Sequence, residues 1–500
     1  MKVLLVSPPS RAINHYRPPL ALMYLSGYLK KHGIDTEIID VTIKGQIRDK
    51  AFYADKKKCL SEVENKILTW IRSSNADIIG ITCYSPEIDE VRRLAKSIKS
   101  LSPAMKIIVG GIHPTLYPED FLKEDSDFDF AVIGEGEVTL LELVNAIREK
   151  KACYSHVKGI GYFDRVSSRS MITERRDLTR NLDEVSFPDY EGIDMGFYTT
   201  PSPYAIRGVF TKSFYILSSR GCPSSCTFCV SKRLRDFHGI TSFVRLRSPA
   251  SLFNEIKGLK DRYGIDSFYF IDDLFTLRKE YVYEFCNLQI KNNMNLIWAC
   301  SSKVNTVDYD MLKTMRDAGC VQIDFGVERG SDKALSDLKK GITISQIRKT
   351  FKDCASLGIR TFANLLVNVP GETMKDLEDI IDLVRDIKPN IVSFNIFTPY
   401  PGCEIFDSCS DKIQVRDYPL LMESADELIR LMPDKFRFAA HTVAFDAWVG
   451  GAMKKYNRVL PNVSIYLTKR YWGSFLHSRK KIEYLKQFNF LLREFIAQKF

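Results

Sequence analysis

The 500-residue sequence contains no long apolar run. No stretch reaches the about 18 apolar residues that a bilayer-spanning helix needs. The N-terminal run Val3–Val6 is too short for a signal peptide, and Pro8 and Pro9 follow it at once. Internal repeats and low-complexity tracts are also absent, which excludes solenoid and fibrous classes. These absences predict a globular protein of the cytoplasm.

A dense disulfide pattern is missing too. Twelve cysteines are scattered over a chain of enzyme size, and most of them read as small buried apolar residues. The composition, 45% hydrophobic and 27% charged, is typical of a globular protein. Because 500 residues exceed one ordinary core, the length predicts two domains and an appendage.

Three cysteines do stand close together, in a C-x3-C-x2-C run at Cys222, Cys226 and Cys229. Three thiolates on one loop can hold three irons of a cubic 4Fe–4S cluster. The fourth iron would have no local cysteine, and an open position is what a reactive metal centre keeps. The alternatives are a zinc knuckle or chance spacing, but the next cysteine, Cys286, stands alone. The spacing therefore favours an iron–sulfur site.

With Phe228 before the last cysteine, this run resembles the C-x3-C-x-aromatic-C signature of the radical S-adenosylmethionine (SAM) superfamily. The resemblance implies that SAM chelates the open iron. It also implies that an electron from the cluster cleaves SAM to a 5′-deoxyadenosyl radical, which takes hydrogen from a substrate. By the same resemblance, Phe228 packs against the adenine of SAM.

Residues 1–150 alternate strand and helix, which predicts a doubly wound parallel sheet. The predicted strands are Val3–Val6, Thr36–Ile39, Ile78–Thr82, Ile107–Val109 and Phe130–Ile133. Such a sheet binds its ligand beyond the carboxyl ends of the strands. No G-x-G-x-x-G follows the first strand, which disfavours a dinucleotide site.

The turns at these strand ends resemble a cobalamin-binding domain. The pattern D-x-H-x-x-G corresponds to residues 40–45, followed by the turn at 82–85 and by Gly110-Gly111. Thr42 stands where the cobalt-ligating histidine would be, so the resemblance implies base-off cobalamin without a histidine ligand. His113 is either a substitute ligand or, as we expect, a local hydrogen-bonding group. The implied cobalamin contacts are Thr82, Tyr84, Gly110 and Gly111.

Residues 151–212 predict a connector with a small hairpin, and a second β-α alternation fills 213–405. Six repeats predict a partial (β/α)6 TIM-like barrel with the cysteine loop at its carboxyl rim. The turns at 326–331 and 368–373 resemble SAM-binding turns of the superfamily, which implies Glu328 and Ser331 as SAM contacts. Asp273, after the second predicted strand of the barrel, and Glu372 are acidic residues at strand ends. Helix capping would explain them as well as a role in SAM binding would.

Residues 406–500 predict a mainly helical, basic region. Residues 451–500 hold eleven Lys and Arg against two Glu, a net charge of +9. An apolar stripe comprises Leu485, Phe488, Leu492, Phe495 and Ile496. We favour a helix that covers the open barrel or the interdomain cleft over peripheral membrane contact. Nucleic acid is disfavoured because no recognised binding module surrounds the basic residues.

The resemblance spans residues 1–405 and implies a cobalamin-dependent radical SAM enzyme that methylates an unactivated carbon of a small-molecule or lipid-like substrate. A reducing partner such as flavodoxin or ferredoxin would supply electrons. Two alternatives remain: an oxidative cyclase or rearrangement enzyme with the same cofactors, and a non-catalytic corrinoid-binding or electron-transfer protein.

Overall fold

The computed structural model of the protein describes residues 1–8, 17–41, 56–151, 153–239, 244–409, 413–422 and 436–457, and the single residues 471, 472, 476, 481, 482 and 485. The strands are β1 Lys2–Val6, β2 Asp35–Ile39, β3 Ile78–Thr82, β4 Lys106–Gly110, β5 Phe130–Val132, β6 Ile160–Asp164, β7 Arg169–Ile172, β8 Ser213–Ile216, β9 Ser219–Arg220, β10 Arg245–Leu246, β11 Ser267–Phe270, β12 Ile297–Ser302, β13 Cys320–Glu328, β14 Arg360–Val367 and β15 Ile391–Ile396.

The α-helices lie between these strands and after the last of them. They are α1 Leu20–Lys31, α2 Lys56–Ser74, α3 Ile88–Leu101, α4 Ile112–Leu116, α5 Gly136–Arg148, α6 Met195–Tyr198, α7 Ser231–His238, α8 Pro249–Tyr263, α9 Lys279–Lys291, α10 Tyr309–Asp317, α11 Asp332–Asp337, α12 Ile344–Leu357, α13 Met374–Ile387, α14 Glu404–Cys409 and α15 Phe445–Tyr456.

The first sheet has helices on both faces. Val3 and Leu5 of β1 belong to one apolar cluster with residues of α1 and α5. Leu4 and Val6 belong to a second cluster with residues of α2 and α3. Because successive side chains of a strand point to opposite faces, this division shows that both faces are buried. The doubly wound arrangement is confirmed.

The first sheet is longer than the five strands of its β-α alternation. Its order is β2-β1-β3-β4-β5-β6-β7, and the strands from β2 to β5 pair in parallel. The predicted hairpin is present as β6 and β7, and β6 pairs antiparallel with β5. The hairpin therefore extends the sheet, although the sequence placed it in the connector.

The second sheet is a partial barrel. Six parallel strands run in the order β15-β14-β13-β12-β11-β8, and β15 does not pair with β8. Phe268, Phe270 and Trp298 point outward into the helices and pack around Phe285 of α9. Tyr269 lies between two of these outward residues and so faces the barrel interior. The prediction of an open six-stranded barrel is confirmed.

The segment between the hairpin and β8 contacts both sheets. Asp189 accepts hydrogen bonds of 2.6 Å from Ser26 Oγ and Lys30 Nζ of α1. The neighbouring Tyr190 donates its hydroxyl to Glu255 of α8. The connector thus binds the helical layers of the two sheets together. The predicted domain boundaries at 150, 212 and 405 stay predictions.

After the barrel, residues 436–444 form an irregular segment with bends at 439–441, here called the C-terminal strap, which leads into α15. Trp448 of α15 packs edge-on against Phe394 of β15 with 5.2 Å between ring centroids. This part of the tail covers the barrel. Of the predicted apolar stripe, Leu485 is exposed, and the other four residues lie outside the described residues. In the part of the chain that the structure describes, no helix is both long and apolar enough to cross a membrane.

Candidate functional site

The three-cysteine loop connects β9 with α7 at the carboxyl rim of the barrel. Cys226 is buried, whereas Cys222 and Cys229 are partly exposed. Arg235 of α7 folds back over the loop and donates hydrogen bonds of 2.7 Å to the Pro223 carbonyl and to Ser225 Oγ. The helix that follows the cysteines therefore fixes the conformation of the loop that carries them.

Two distant segments hold the same loop from the other side. The Thr227 N–H donates to the Leu338 carbonyl at 3.1 Å, and the Thr227 carbonyl accepts from the Ile405 N–H at 3.1 Å. Thr227 lies between Cys226 and Phe228, so these backbone bonds fix the middle of the cysteine motif. The loop is ordered by the barrel rather than by local sequence alone.

The surroundings of the cysteines are cationic. Burial raises the pKa values of the Cys222 and Cys226 thiols. Lys340 and Lys303 act in the opposite direction on Cys226, because a positive charge stabilises the thiolate. Thiolates are the form that binds iron. Two lysines therefore offset part of the burial cost at the most enclosed cysteine.

The donor set fits a cluster better than a single ion. Among the described residues, no three His, Cys, Asp or Glu side chains already converge on one metal position. A cubane does not need such convergence, because each of its cysteines binds a different iron. Three soft donors on one loop, without a fourth, suit three irons and leave one open. The assignment of Cys222, Cys226 and Cys229 as iron ligands stays a prediction.

Glu328, a predicted SAM contact, lies beside this loop. Its Oε1 accepts a 2.8 Å hydrogen bond from Lys340 Nζ, and both side chains are almost fully buried. Lys340 Nζ is also 5.6 Å from the centre of the Phe228 ring. A Cβ atom on Gly326 would lie 2.5 Å from both charged groups, so only glycine leaves room for the pair. Sequence reasoning missed Lys340, because a lysine in a turn normally signals solvent exposure.

Ser331, the other predicted contact in this turn, has a local partner. It is the N-cap of α11 and accepts a 3.3 Å hydrogen bond from the Ala334 N–H. Arg329 points away into a buried ion pair with Glu372. Of the turn at 326–331, the structure thus places Glu328 at the cysteine loop and gives Ser331 a capping bond. The roles of Phe228, Glu328 and Ser331 toward SAM stay predictions.

The turn after β14 binds the C-terminal strap. The Asn368 amide donates to the Phe436 carbonyl at 2.8 Å, and its Oδ1 accepts from the Phe438 N–H at 3.0 Å. Glu372 Oε1 lies 2.9 Å from His441 Nε2. Phe438 packs against the apolar cluster that also contacts Phe228. The turn that resembles a SAM-binding motif therefore anchors the strap, a role that sequence spacing does not reveal.

The predicted cobalamin contacts meet at the carboxyl ends of β3 and β4. The Cys83 N–H donates to the Gly110 carbonyl at 2.8 Å, which joins the two strand ends. Gly111 has φ +110°, and a Cβ there would lie 2.9 Å from the Cys83 carbonyl and 3.1 Å from Thr82 Oγ1. Tyr84 is half exposed at the same edge. The structure brings Thr82, Tyr84, Gly110 and Gly111 together, and their contact with cobalamin stays a prediction.

His113 is fully buried and both of its ring nitrogens have partners. Nδ1 is 2.9 Å from Ser85 Oγ, and Nε2 is 3.1 Å from Asp120 Oδ2. The expectation of a local hydrogen-bonding role is confirmed. Asp40 is also buried and accepts a 2.8 Å hydrogen bond from the Tyr198 hydroxyl. Thr42 and Gly45 lie outside the described residues.

The two candidate sites adjoin each other. Arg220 of β9 comes two residues before Cys222 and forms ion pairs with Glu135 and Glu137, at the carboxyl end of β5. Arg245 of β10 also pairs with Glu135, at 2.7 Å. The rim of the barrel and the ligand edge of the first sheet are therefore in direct contact.

Models of two known protein families match the chain, one over each sheet. The model of the B12 binding domain matches residues 11–144, and the model of the radical SAM superfamily matches residues 216–384. The first match covers β2, β3, β4 and β5 of the first sheet, and the second begins at the last residue of β8, just before the cysteine loop. Together they describe a chain that carries a B12-binding unit followed by a radical SAM core.

Individual relatives align over most of the chain. The chain is 30% identical over 419 residues to an uncharacterised methyltransferase of Pyrococcus horikoshii, covering 81% of this chain and 83% of that protein. It is 28% identical to the anaerobic magnesium-protoporphyrin IX monomethyl ester cyclase of Rubrivivax gelatinosus, covering 84% and 73% of the two chains. Both alignments extend well beyond either family model alone.

Solved structures share the fold. The radical SAM methyltransferase TsrM from Kitasatospora setae superposes with a TM-score of 0.61 at 19% identity, covering 82% of this chain and 76% of TsrM. The cobalamin-dependent radical enzyme OxsB superposes with a TM-score of 0.62 at 19% identity, covering 91% of this chain and 61% of OxsB. At this identity the likeness establishes the fold alone.

The fold and the cysteine loop define a two-unit radical enzyme, with a corrinoid sheet ahead of a cluster-bearing barrel. The chain belongs to the radical SAM superfamily, in the group whose members carry a B12-binding domain. The cofactors of this family are a 4Fe–4S cluster, SAM and cobalamin, as the sequence predicted.

Proposed function

We propose that this enzyme is a methyltransferase that acts on an unactivated carbon of a small molecule. The observation that carries the proposal is the direct contact between the cysteine loop and the ligand edge of the first sheet, through Arg220 and Glu137. A methyl group held on one cofactor can reach a radical made at the other only if the two sites adjoin. The methyltransferase relative from Pyrococcus horikoshii supports the same reaction class.

The cofactors, when bound, would supply a deoxyadenosyl radical and a transferable methyl group. The chain would hold and shield them. Cys222, Cys226 and Cys229 would ligate three irons, while Lys340 and Lys303 stabilise the negative charge of the site. Phe228, with Phe397 and Phe438, forms an apolar wall beside the loop that excludes water from a reactive radical.

The barrel interior offers hydrogen-bonding groups to a substrate. The Tyr269 hydroxyl donates to Asp324 Oδ2 at 2.9 Å and lies 3.0 Å from Ser301 Oγ. Burial raises the pKa of the Asp324 carboxyl. Arg17, from the first sheet's side, lies 5.9 Å from the Tyr215 ring of β8. This polar interior suits a small molecule that carries several hydrogen-bonding groups.

Anaerobic reconstitution with iron, sulfide, cobalamin, SAM and dithionite tests the proposal. We expect 5′-deoxyadenosine by mass spectrometry, and more than one S-adenosylhomocysteine per enzyme once a methyl acceptor is supplied. Cys226→Ala should lose the cluster and both products, whereas the buried Cys354→Ala should keep its iron. Protein that carries zinc without sulfide would refute the proposal.

The second candidate is an oxidative cyclase with the same cofactors, which the 28% identity to a magnesium-protoporphyrin ester cyclase favours. A cyclase yields deoxyadenosine without S-adenosylhomocysteine, so the same product analysis separates the two. A non-catalytic corrinoid carrier would leave SAM uncleaved.

The tail and the source of electrons complete the proposal. A flavodoxin or ferredoxin of the cytoplasm would reduce the cluster.

The net charge of +9 over residues 451–500 suits a lipid-like substrate met at an anionic membrane surface, since each nearby Lys or Arg adds about 1 kcal/mol of binding free energy there. Flotation on anionic liposomes should then show binding that physiological salt weakens and that truncation after residue 457, which leaves α15 whole, removes. If the protein does not bind the liposomes at low salt, the tail has no membrane role and serves to cover the barrel or the interdomain cleft.

A further inference from the structure

Two arginines form an unusual pair where the cysteine loop begins. Arg220 of β9 and Arg245 of β10 are directly opposite each other in an antiparallel two-stranded ribbon. Like charges at such positions repel and destabilise the ribbon. Both side chains are largely buried, which increases the repulsion unless counter-charges are present. The ribbon therefore depends on acidic partners from elsewhere.

Those partners come from the first sheet. Arg245 donates two hydrogen bonds to the Glu135 carboxylate, from Nη2 to Oε1 at 2.7 Å and from Nη1 to Oε2 at 2.8 Å. Arg220 Nη1 lies 3.2 Å from the same carboxylate, and Arg220 also pairs with Glu137. The group holds two positive and two negative charges, so it is neutral. Such two-pronged pairs are geometrically specific as well as strong.

The acidic turn also benefits from its position. Glu135 is the N-cap residue of α5, and Glu137 lies in its first turn. A helix N-terminus is a favourable place for negative side chains, so this turn suits the acidic partners that the arginines need. The arginines and hydrogen bonds hold the pKa of Glu135 below its usual range despite burial.

The far end of the cysteine segment contacts the same turn. His238 ends α7, the helix that follows Cys229, and its Cε1 lies 3.3 Å from the Cβ position of Gly134. Gly134 has φ +88° and directly precedes Glu135. The turn at 134–137 thus contacts the chain both before Cys222 and after Cys229.

We propose that Arg220 and Arg245 are positioning residues that lock the cysteine loop onto the turn at 134–137, and so fix the distance between the cluster and the corrinoid. The inference deepens the proposed function and rests on it for the two cofactors. The lock itself is a property of the chain, and it can be tested with or without them.

Hydrogen–deuterium exchange of the full-length reconstituted protein tests the lock. Arg220→Glu should raise amide exchange at 134–138 and 219–222 by at least about tenfold, because a broken buried pair leaves charges uncompensated. Adding Glu137→Arg to that variant should restore protection. Arg262→Glu breaks an exposed pair with Glu191 and is the matched control, for which we expect no change in these peptides. Glu135→Gln is a milder second variant in case Arg220→Glu does not fold.

Pulsed electron paramagnetic resonance then measures the coupling between cob(II)alamin and the reduced cluster. We expect Glu135→Gln to broaden the distance distribution while iron content stays that of the parent, because the cysteines are intact. Exchange and spin coupling equal to those of Arg262→Glu would overturn the lock. A parent protein that binds no corrinoid would instead refute the proposed function, and the exchange experiment would still decide about the lock.

Discussion

Lys340 Nζ donates a 2.8 Å hydrogen bond to Glu328 Oε1 in space that the missing side chain of Gly326 leaves open. Glu328 has φ +65°, a left-handed conformation that costs energy for any residue with a Cβ. Strain at the strand end, a required glycine and a buried ion pair thus coincide beside the cysteine loop. Such a coincidence is typical of a site built for binding rather than for stability alone.

The Lys340–Glu328 ion pair predicts how the free energy of unfolding changes in variants that lose one or both charges. Lys340→Met should lower the free energy of unfolding by about 3–5 kcal/mol, because Glu328 keeps an uncompensated buried charge. Lys340→Met with Glu328→Gln should lose less, because no buried charge remains. Lys339→Met is the matched control, since its exposed pair with Glu404 contributes about 1 kcal/mol or less. Urea unfolding under anaerobic conditions measures all three, and equal losses for Lys339→Met and Lys340→Met would contradict the prediction.

Gly111 should be irreplaceable at the corrinoid edge. Gly111→Ala adds a Cβ 2.9 Å from a backbone carbonyl, on top of the left-handed strain at φ +110°. Gly33→Ala is the control for a glycine of positive φ without a close neighbour, because its φ is +76° and a Cβ there meets no atom within 4 Å. We expect Gly33→Ala to cost about 1–2 kcal/mol and to keep cobalamin affinity. Gly111→Ala should cost more and weaken cobalamin binding in equilibrium dialysis; equal behaviour of the two variants would show that the edge tolerates a methyl group.

Bound cob(II)alamin should show no nitrogen ligand from the protein. Thr42 supplies no imidazole, and both ring nitrogens of His113 are engaged with Ser85 and Asp120. The paramagnetic resonance spectrum should therefore lack nitrogen superhyperfine splitting and stay unchanged in Thr42→Ala. Splitting that disappears in His113→Asn would reveal that His113 leaves its local partners to bind cobalt.

Asp272 should make stability depend on pH. It is buried below the cysteine loop, and burial raises its pKa to about 6, although Ser219 and Ser218 donate hydrogen bonds to it. The folded protein then binds this proton more tightly than the unfolded chain, whose carboxyl has the ordinary value of 3.8. The free energy of unfolding should therefore fall by about 3 kcal/mol as pH rises from 4 to 6, and this contribution should stay constant above that.

The variant Asp272→Asn has no carboxyl to titrate at this position. Its free energy of unfolding should therefore lack the fall of about 3 kcal/mol between pH 4 and pH 6 that Asp272 causes. Unfolding in urea at several pH values between 4 and 7 compares the two proteins. A parent and variant with parallel pH profiles would mean that Asp272 is ionised throughout this range.

The sequence predicted the elements well because their patterns are local. The strand Ile78–Thr82 follows from its apolar run, and the structure has the same bounds. The hairpin β6–β7 was predicted, but not its pairing with β5, because strand pairing across a loop depends on contacts that no local pattern encodes.

The candidate site was predictable to a smaller extent. The cysteines and the glycines at strand ends stand out in the sequence because chemistry or geometry restricts those positions to one residue type. Lys340 and the strap residue His441 have no such signal. Their partners Glu328 and Glu372 become neighbours only when the chain folds, so these contacts leave no pattern in the sequence.

The backbone bonds of Thr227 have a consequence for how the enzyme matures. They join the cysteine motif to Leu338 and Ile405, which the ribosome makes long after Cys229. The loop cannot take its final shape while the barrel is still being synthesised. Iron and sulfide therefore meet the finished loop only after the chain has been made past Ile405.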